Sequence, residues 1–421
     1  MDNQQLRERL TIRQLGPEHL DQFTELFRYV FQVTNEELRQ SGYEEGELIR
    51  SMRPLLERAD VFGWFRDDHL VSQVCVYPCT ANVHGRLFPM GGLTGVGTYP
   101  EYAGMGLINE LIRMALEHMR DKGQWISYLY PYSIPFYRHR GWEILSDQIQ
   151  FTVRDDQLPK RAEVPGFVER FPVDHPDVSR TYDRFARSMG AHGAMLRGKE
   201  EWEEYWRWEN EEERIAAIYY DAAHEPEGVL IYWIQDDVFN IKEMIYLNQE
   251  ARRGLWNFIG AHHSMIDEVK GYNFKNETLA FYLEDSSIKE VIEPYFMARI
   301  VDARAFLERF PFRPFHGAIR FELTDPVASW NNGPFEVRCP RQGEVKVTGP
   351  DTPETPPADD HAAGNGAKTV RLDIGALTAL LMNYRRASFF AELERIHTDP
   401  DGVALLERAI PNNQPYFSDY F

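Results

Sequence analysis

Apolar residues recur with strand and helix periods through the first 150 positions of the chain. Alternation and short apolar runs bounded by turn residues predict strands over residues 11–15, 61–65, 70–77, 92–98 and 125–130. Apolar residues three and four positions apart predict helices over residues 17–33, 106–122 and 133–139. Strands interleaved with helices indicate a mixed α/β domain, which we place at residues 1–150.

A strand–turn–helix unit recurs further along the chain. Residues 242–247 are predicted as a strand that leads into a helix, as the strand before Gly106 does. Gly254 takes the place in this unit that Gly106 takes in the first. The echo predicts two copies of one α/β unit, with the second copy diverged and covering residues 151–298.

The pattern changes near residue 298 to alternating strands followed by helices. The predicted strands cover residues 318–323, 335–338, 344–348 and 369–374, and the predicted helices cover residues 375–384 and 387–396. Residues 349–367 are rich in proline, glycine and acidic residues, which predicts a mobile loop between two of the strands. We therefore expect a third domain of α+β type at residues 299–421.

The composition narrows the classes of function. The chain has 421 residues, of which 43% are hydrophobic, and its 66 acidic and 46 basic residues give a net charge of −20. Nucleic-acid binders need basic surfaces to neutralise phosphates, so this balance argues against a nucleic-acid partner and suits cationic ligands.

Cysteine content and targeting features favour a reducing compartment. Three cysteines form no disulfide framework, and no cysteines and histidines have the spacing of a zinc site, so no metal is expected. The N-terminal residues lack the apolar core of a signal peptide, and no apolar run is long enough to span a bilayer. We expect a cytoplasmic protein without a membrane partner.

A glycine-containing turn before the second predicted helix is a candidate anion site. Its sequence is V-G-T-Y-P-E-Y-A-G-M-G-L-I over residues 96–108. Gly104 and Gly106 allow positive φ angles and a close ligand, and the backbone N–H groups at the start of a helix attract negative charge. The segment matches neither GxGxxG nor GxxxxGK[ST], so a plain turn is the alternative for this segment alone.

A second segment, P-F-Y-R-H-R-G-W-E at residues 135–143, follows one strand downstream. Together, V-x-T-x-P-E-Y-x-G-x-G-L and F-Y-x-x-x-G-W resemble the two acetyl-CoA motifs of the GCN5-related N-acetyltransferase (GNAT) superfamily. The diverged second copy, the α+β third domain and the terminal Phe421 make the whole chain similar to the Eis (enhanced intracellular survival) family. This resemblance implies two tandem GNAT-like domains followed by a sterol-carrier-like domain, acetyl-CoA as co-substrate, and a homo-hexamer.

The resemblance also implies which residues bind acetyl-CoA. They belong to the strand beside the thioester, the pyrophosphate loop with the first helical turn, and a segment near the pantetheine: Val96, Gly97, Thr98, Gly104, Met105, Gly106, Leu107, Ile108, Asn109, Tyr132 and Ser133. The family loop usually has arginine or glutamine where this chain has Ala103. Backbone N–H groups would then hold the pyrophosphate, and a lost charge-assisted hydrogen bond costs about 1.5–3 kcal/mol. The second copy keeps Arg252 and Gly254 but lacks the glycine pair, so we expect it not to bind coenzyme A productively.

Two residues are implied to carry the proton transfers. Tyr137 matches the family's general acid, because a phenol with a pKa of about 10 keeps its proton at neutral pH and can give it to a thiolate. The resemblance implies that the α-carboxylate of Phe421 helps to deprotonate the amine. Its ordinary pKa of about 3.5 makes it a weak base, so relay through water, or anchoring of the cationic amine, would be a less demanding role. The alternatives are that Tyr137 packs a helix against the sheet and that Phe421 belongs to a frayed terminus.

Other segments are interpreted structurally. Residues 200–213 are acidic and aromatic, which is typical of a solvated helix face, with attraction of polyamines as the alternative. Phe27 and Phe31 fit the apolar stripe of their helix and an acceptor pocket equally well. Cys75 and Cys79 are interpreted as inert strand thiols.

The sequence thus predicts an acetyl-CoA-dependent N-acetyltransferase that acts on primary amines of cationic, aminoglycoside-like acceptors. One alternative is a tandem-GNAT aminoacyl transferase, which the acidic balance disfavours because it uses tRNA. The other is a non-catalytic ligand- or lipid-binding protein with a vestigial first domain, which the altered loop at Ala103 keeps open.

Overall fold

The computed structural model of the chain describes residues 3–34, 52–53, 56–202, 214–275, 279–341, 344–350 and 366–421. Most of segment 200–213 and of the loop 349–367 lies outside these residues, so the interpretations made for them stay predictions. In the described ranges, no helix is long and apolar enough to cross a membrane.

Two sheets and the helices packed on them make up the fold. The strands of the large sheet are β1 (Leu10–Leu15), β2 (Asp60–Arg66), β3 (His69–Val83), β4 (Arg86–Thr98), β5 (Ile126–Leu129), β6 (Glu143–Arg154), β7 (Phe167–Pro172), β8 (Ile215–Tyr220), β9 (Pro226–Gln235), β10 (Val238–Tyr246), β11 (Glu268–Asn273) and β12 (Lys289–Ile300). The strands of the small sheet are β13 (Ile319–Thr324), β14 (Gly333–Arg341), β15 (Glu344–Thr348) and β16 (Lys368–Asp373). The helices are α1 (Asn3–Arg7), α2 (Leu20–Val30), α3 (Leu107–Asp121), α4 (Ile134–Arg138), α5 (Pro176–Ala186), α6 (Gln249–Gly260), α7 (Ala303–Arg309), α8 (Ile374–Leu381), α9 (Ala387–Glu392) and α10 (Pro400–Ala409).

The two α/β halves share one sheet, with the order β1-β2-β3-β4-β5-β12-β6-β11-β10-β9-β8-β7. β12 lies between β5 and β6 and is antiparallel to both, with Ala298 opposite Tyr128 on one side and Glu143 on the other. β6 pairs in turn with β11. A strand from the far end of the second half therefore completes the sheet of the first. β6 continues through residue 150 and β12 through residue 298, and the domain boundaries themselves stay predictions.

The stripe predicted on α3 faces the core, whereas Phe31, predicted on the stripe of the helix before it, is 37% exposed. Leu111, Ala115 and Met119 of α3 are fully buried in one core cluster with the strands of the first half. Their spacing of four residues places them on one face of the helix. Leu255 and Ile259 of α6 take the same position in the second half.

The third domain packs against the large sheet through α8. All residues of α8 are buried, and the helix contacts β12, β6 and β16. A helix that is covered on every side has no need of a polar face, which explains why all its residues except Thr378 are apolar or glycine. β13 is antiparallel to β14 and parallel to β16, so the small sheet is mixed.

The predicted elements differ from the observed ones mainly at their ends. The helix predicted over 17–33 is a 3₁₀ turn at Pro17–His19 followed by α2. α10 was not predicted, although Asp399 caps its first turn and Pro400 follows at the first helical position. Those two residues are a recognisable start signal that the sequence analysis missed.

Candidate active site

β4 and β5 separate in the middle of the large sheet. They pair as parallel strands only from Met90 to Gly92 of β4, although β4 continues to Thr98. Next to β3, β4 carries a bulge at which Gly95 has a φ of 60°. In the described structure, residues 93–98 of β4 therefore face an opening on the side of β5, and their backbone groups are available to a ligand.

This opening leads into a cavity of about 720 Å³, which residues 93–98 of β4 line. Of the residues predicted for the site, its lining includes Val96, Gly97, Thr98, Ile108, Tyr132, Ser133, Tyr137 and Phe421. Phe27 and Phe31 of α2 also line it, with ring centroids 4.7 Å apart. The described part of the lining is mostly aromatic and aliphatic, and it contains no charged side chain. Such a cavity suits a thioester arm and the apolar body of a small acceptor.

α2 covers β4 closely at the bulge. A Cβ atom at Gly97 would lie 3.0 Å from the side chain of Val30, which is tighter than ordinary contact. Glycine at this position lets the helix approach the strand and brings Phe27 and Phe31 to the cavity.

The loop before α3 has the features of an anion site. Gly104 and Gly106 have φ angles of 76° and 75°, and a Cβ atom at Gly104 would meet nothing within 4 Å. Gly106 is the N-cap of α3, and no side chain caps the helix there. Met105 and Leu107 are buried, so they would contribute through the backbone. Uncapped N–H groups beside an open cradle fit the pyrophosphate of a nucleotide cofactor.

Tyr137 lies in α4 and lines the cavity. Its side chain is 7% exposed and packs edge to face against Phe136 and Trp142. Burial raises the pKa of Tyr137 to about 12, against a smaller opposing effect of Arg140. Within the described residues its hydroxyl has no hydrogen-bond partner, and the ring lines the cavity. The hydroxyl is therefore a protonated donor that a ligand can meet.

A buried cluster of charges fixes the last residues of the chain. Arg197 donates to Asp419 Oδ1 at 2.6 Å and to both carboxylate oxygens of Glu243 at 3.1 Å. Burial works to raise the pKa of Glu243, but the Arg197 guanidinium outweighs it, so this pKa lies below its ordinary value. Burial raises the pKa of Asp419. Phe421 follows two residues later, and its ring packs on Gly92, where a Cβ atom would lie 2.7 Å from it.

The corresponding helix start in the second half is closed. The side chain of Asn248 caps α6 by accepting a hydrogen bond from the N–H of Ala251 at 2.8 Å. A Cβ atom at Gly254 would lie 2.2 Å from the ring of Tyr219, so that ring fills the space beside the helix. Arg252 is buried. These contacts support the expectation that the second copy binds no coenzyme A, which stays a prediction.

The structure brings the predicted residues of β4, Ile108 of α3 and the residues near α4 around one cavity, while Gly104, Met105, Gly106 and Leu107 lie outside its lining. It also adds residues that the sequence analysis missed. Asn109 is exposed in the first turn of α3, outside the cavity lining, and its side chain accepts from Arg140. Tyr130 and Tyr420 line the cavity, with ring centroids 5.0 Å apart. Cys75 and Cys79 lie on β3, and neither forms a disulfide with another described cysteine. Among the described residues, no group of three metal-ligating side chains occurs.

Three sequence families match successive parts of the chain. Residues 11–145 match an acetyltransferase (GNAT) domain, residues 193–300 match another acetyltransferase (GNAT) domain, and residues 303–418 match a sterol carrier protein domain. The predicted fold class, two tandem GNAT domains followed by a sterol-carrier-like domain, is confirmed.

Known relatives match most or all of the chain. An uncharacterized N-acetyltransferase of Streptomyces avermitilis is 22% identical over 370 residues, which are 80% of this chain and 82% of that protein. A conserved protein of unknown function from Enterococcus faecalis, described as a probable N-acyltransferase, is 27% identical with a TM-score of 0.83 over 98% of this chain and 99% of that one. Eis1 from Mycobacterium abscessus is 17% identical, with a TM-score of 0.78 over 98% of this chain and 100% of that one, a likeness of fold. The Eis-like architecture expected from the sequence is confirmed.

Proposed function

Because the chain belongs to the GNAT N-acetyltransferase family and has the Eis-like order of domains, we propose that it transfers the acetyl group of acetyl-CoA to primary amines of cationic acceptors. The observation that carries this proposal is the meeting of three features at one cavity: the open edge of β4, the uncapped start of α3, and the hydroxyl of Tyr137. Strand, helix start and phenol are the parts that acyl transfer from a thioester to an amine requires.

Backbone groups of the first half would hold the co-substrate. Acetyl-CoA supplies an acyl group already activated as a thioester. N–H groups at the start of α3 and in the loop from Gly104 would bind its pyrophosphate. N–H groups of β4 from Val96 to Thr98 would face the acetyl oxygen and stabilise the negative charge that develops there. Tyr132 and Ser133, which line the cavity before α4, would flank the pantetheine.

Tyr137 would return a proton to the departing thiolate. Since burial raises its pKa to about 12, the phenol stays protonated through the neutral range. Loss of its proton therefore sets no limit on the rate below about pH 10.

The acceptor must lose a proton to attack, and we assign its acceptance to the carboxylate of Phe421, with a water molecule relaying the proton. Before that step the same carboxylate would anchor the cationic amine. The aromatic rings of Phe27 and Phe31 offer an apolar wall to the acceptor's body. A net charge of −20 favours cationic acceptors, among them aminoglycoside-like amines. The hexamer and the cytoplasmic location expected from the sequence stay predictions.

Replacing Tyr137 by phenylalanine tests the proposal. Removal of a general acid lowers kcat by about 100-fold while the binding constant of acetyl-CoA, measured by calorimetry, changes little, because the hydroxyl acts on the leaving thiolate. Tyr130→Phe is the matched control, since this side chain lines the same cavity, is 44% exposed and has no assigned role. Equal turnover of the Tyr137→Phe variant and the parent chain, with amines that the parent acetylates, would remove Tyr137 as the acid.

A further inference from the structure

The loop after α4 carries an arginine beside the start of α3. Arg140 donates from Nε to Asn109 Oδ1 at 3.0 Å, from Nη2 to the same oxygen, and from Nη1 to the carbonyl oxygen of Phe136 at 2.6 Å. Its guanidinium also lies over the ring of Phe136, with its central carbon 3.6 Å from the ring centroid. Asn109 belongs to the first turn of α3, so the positive charge is held next to the uncapped N–H groups.

No carboxylate neutralises Arg140 in the described part of the chain. Two other arginines near these elements are paired with carboxylates. Arg7, which donates to the carbonyl oxygen of Met105 in the loop before α3, pairs with Glu110 at 2.9 Å, and Arg138 of α4 pairs with Glu143 at 2.6 Å. The partners of Arg140 are instead an amide oxygen, a carbonyl oxygen and an aromatic ring. A guanidinium has five N–H donors, and three of them are engaged, so two remain for a ligand.

The backbone of Arg140 is held by a side chain of β12. Arg299 of β12 is fully buried and donates to the carbonyl oxygen of Arg140. The same guanidinium donates to Asp325, which follows β13 in the third domain, at 2.6 Å. Replacing Gly141 by any larger residue would put a Cβ atom 2.1 Å from Arg299 Nη1. Arg140 is therefore fixed at both its backbone and its side chain, which lowers the entropy that a ligand would otherwise have to remove.

We propose that the guanidinium of Arg140 binds the pyrophosphate of the co-substrate and supplies, from the segment after α4, the positive charge that the loop lacks at Ala103. This inference rests on the proposed use of acetyl-CoA. Arg140 contacts Asn109 in the first turn of α3, and the loop leads directly into that turn through the N-cap Gly106. A planar fork with two free N–H groups matches a diphosphate, and the adjacent helix dipole acts in the same direction.

The expected size of the effect follows from one charge-assisted contact. Such a contact is worth about 1.5–3 kcal/mol, which corresponds to about a 10- to 100-fold change in the dissociation constant. Arg140→Gln removes the charge and keeps an amide that can still reach Asn109. Arg138→Gln is the charge control. It removes the same formal charge two residues before Arg140, from an arginine that already pairs with Glu143.

Calorimetric titration with coenzyme A, dephospho-coenzyme A and pantetheine tests the proposal without relying on turnover. For Arg140→Gln we expect a dissociation constant raised about 10- to 100-fold for both nucleotides, and an unchanged one for pantetheine, which has no pyrophosphate. The control variant should bind all three compounds like the parent chain.

Four results would overturn the assignment in different ways. An equal loss for pantetheine would show that Arg140 only shapes the cavity. A loss for coenzyme A but none for dephospho-coenzyme A would place the contact at the 3′-phosphate instead of the pyrophosphate. Failure of the parent chain to bind coenzyme A would remove the proposed function, and this inference with it, whereas tight binding that Arg140→Gln leaves unchanged would overturn the inference alone.

Discussion

A stacked pair of buried histidines should make the protein lose stability in mild acid. His84, after β3, and His192, after α5, stack with ring centroids 3.6 Å apart. Their Nε2 atoms lie 2.8 Å from the carbonyl oxygens of Leu381 and Met382 at the end of α8, so both rings donate there. Nδ1 of His192 accepts from the backbone N–H of His84 at 3.0 Å. The three domains meet at this pair, and each ring is satisfied only while it is neutral.

Protonation of His192 would set its Nδ1–H against the N–H of His84, and protonation of both rings would place two like charges in one stack. Burial lowers the pKa of His192 to about 4. Burial, then the neighbouring imidazole, lowers the pKa of His84 well below its ordinary value, and Arg313 and Arg386 act in the same direction. In the unfolded chain both groups titrate near 6.5, so the unfolded state binds more protons between about pH 6.5 and pH 4.

Stability should therefore fall as the pH drops through that window. Integrated from pH 7 to pH 5, the shift of His192 alone removes about 2 kcal/mol of unfolding free energy. The assay is urea unfolding at a series of pH values, with the parent chain compared with His192→Gln, which keeps a donor for Met382. We expect the variant to be less stable at pH 7. Its loss of unfolding free energy between pH 7 and pH 5 should be smaller than the parent's by about 2 kcal/mol, which is a shallower pH slope. His139→Gln, at an exposed site, is the control and should keep the parent's slope. Identical slopes for the parent and His192→Gln would refute the reasoning.

Three further changes test the site and its support. Gly106→Ala forces a side chain into a φ of 75°, so it should cost about 1–2 kcal/mol of stability and weaken coenzyme A binding in calorimetry. Gly123→Ala, at a φ of 71° beyond the other end of α3, should lose similar stability and keep the binding constant. Arg197→Met leaves buried Asp419 unpaired and should lower the unfolding free energy by about 3–5 kcal/mol in urea titrations. Residues added after Phe421 should lower the rate of thiol release with amine acceptors without changing coenzyme A affinity, and full activity of such an extended chain would count against a role for its carboxylate.

Local patterns in the sequence were sufficient for the elements that surround the cavity. The stripe on α3, the strand before it and the glycines at 104 and 106 follow from spacing within about 15 residues, because helix faces and positive-φ turns are properties of short segments. The doubled α/β unit also left a local signal, since strand, turn and helix occur twice in the same order. The bulge at Gly95 and the early separation of β4 from β5 left no local signal in the sequence, because both depend on how β4 pairs with its neighbouring strands.

The amino-acid sequence by itself determined the strands and helices that surround the cavity, the two motifs of the first half and the family they resemble. Only the tertiary structure decided that β12 completes the first half of the sheet, that Arg197 holds Asp419 across 222 positions, and that Arg299 holds the Arg140 backbone across 159. The spacing of apolar residues predicts which face of a segment is buried, because it depends on residues close together in the chain. The partner of a buried charge depends on how distant elements pack against each other. The arginine that we assign to the pyrophosphate could therefore be found only once the chain was folded.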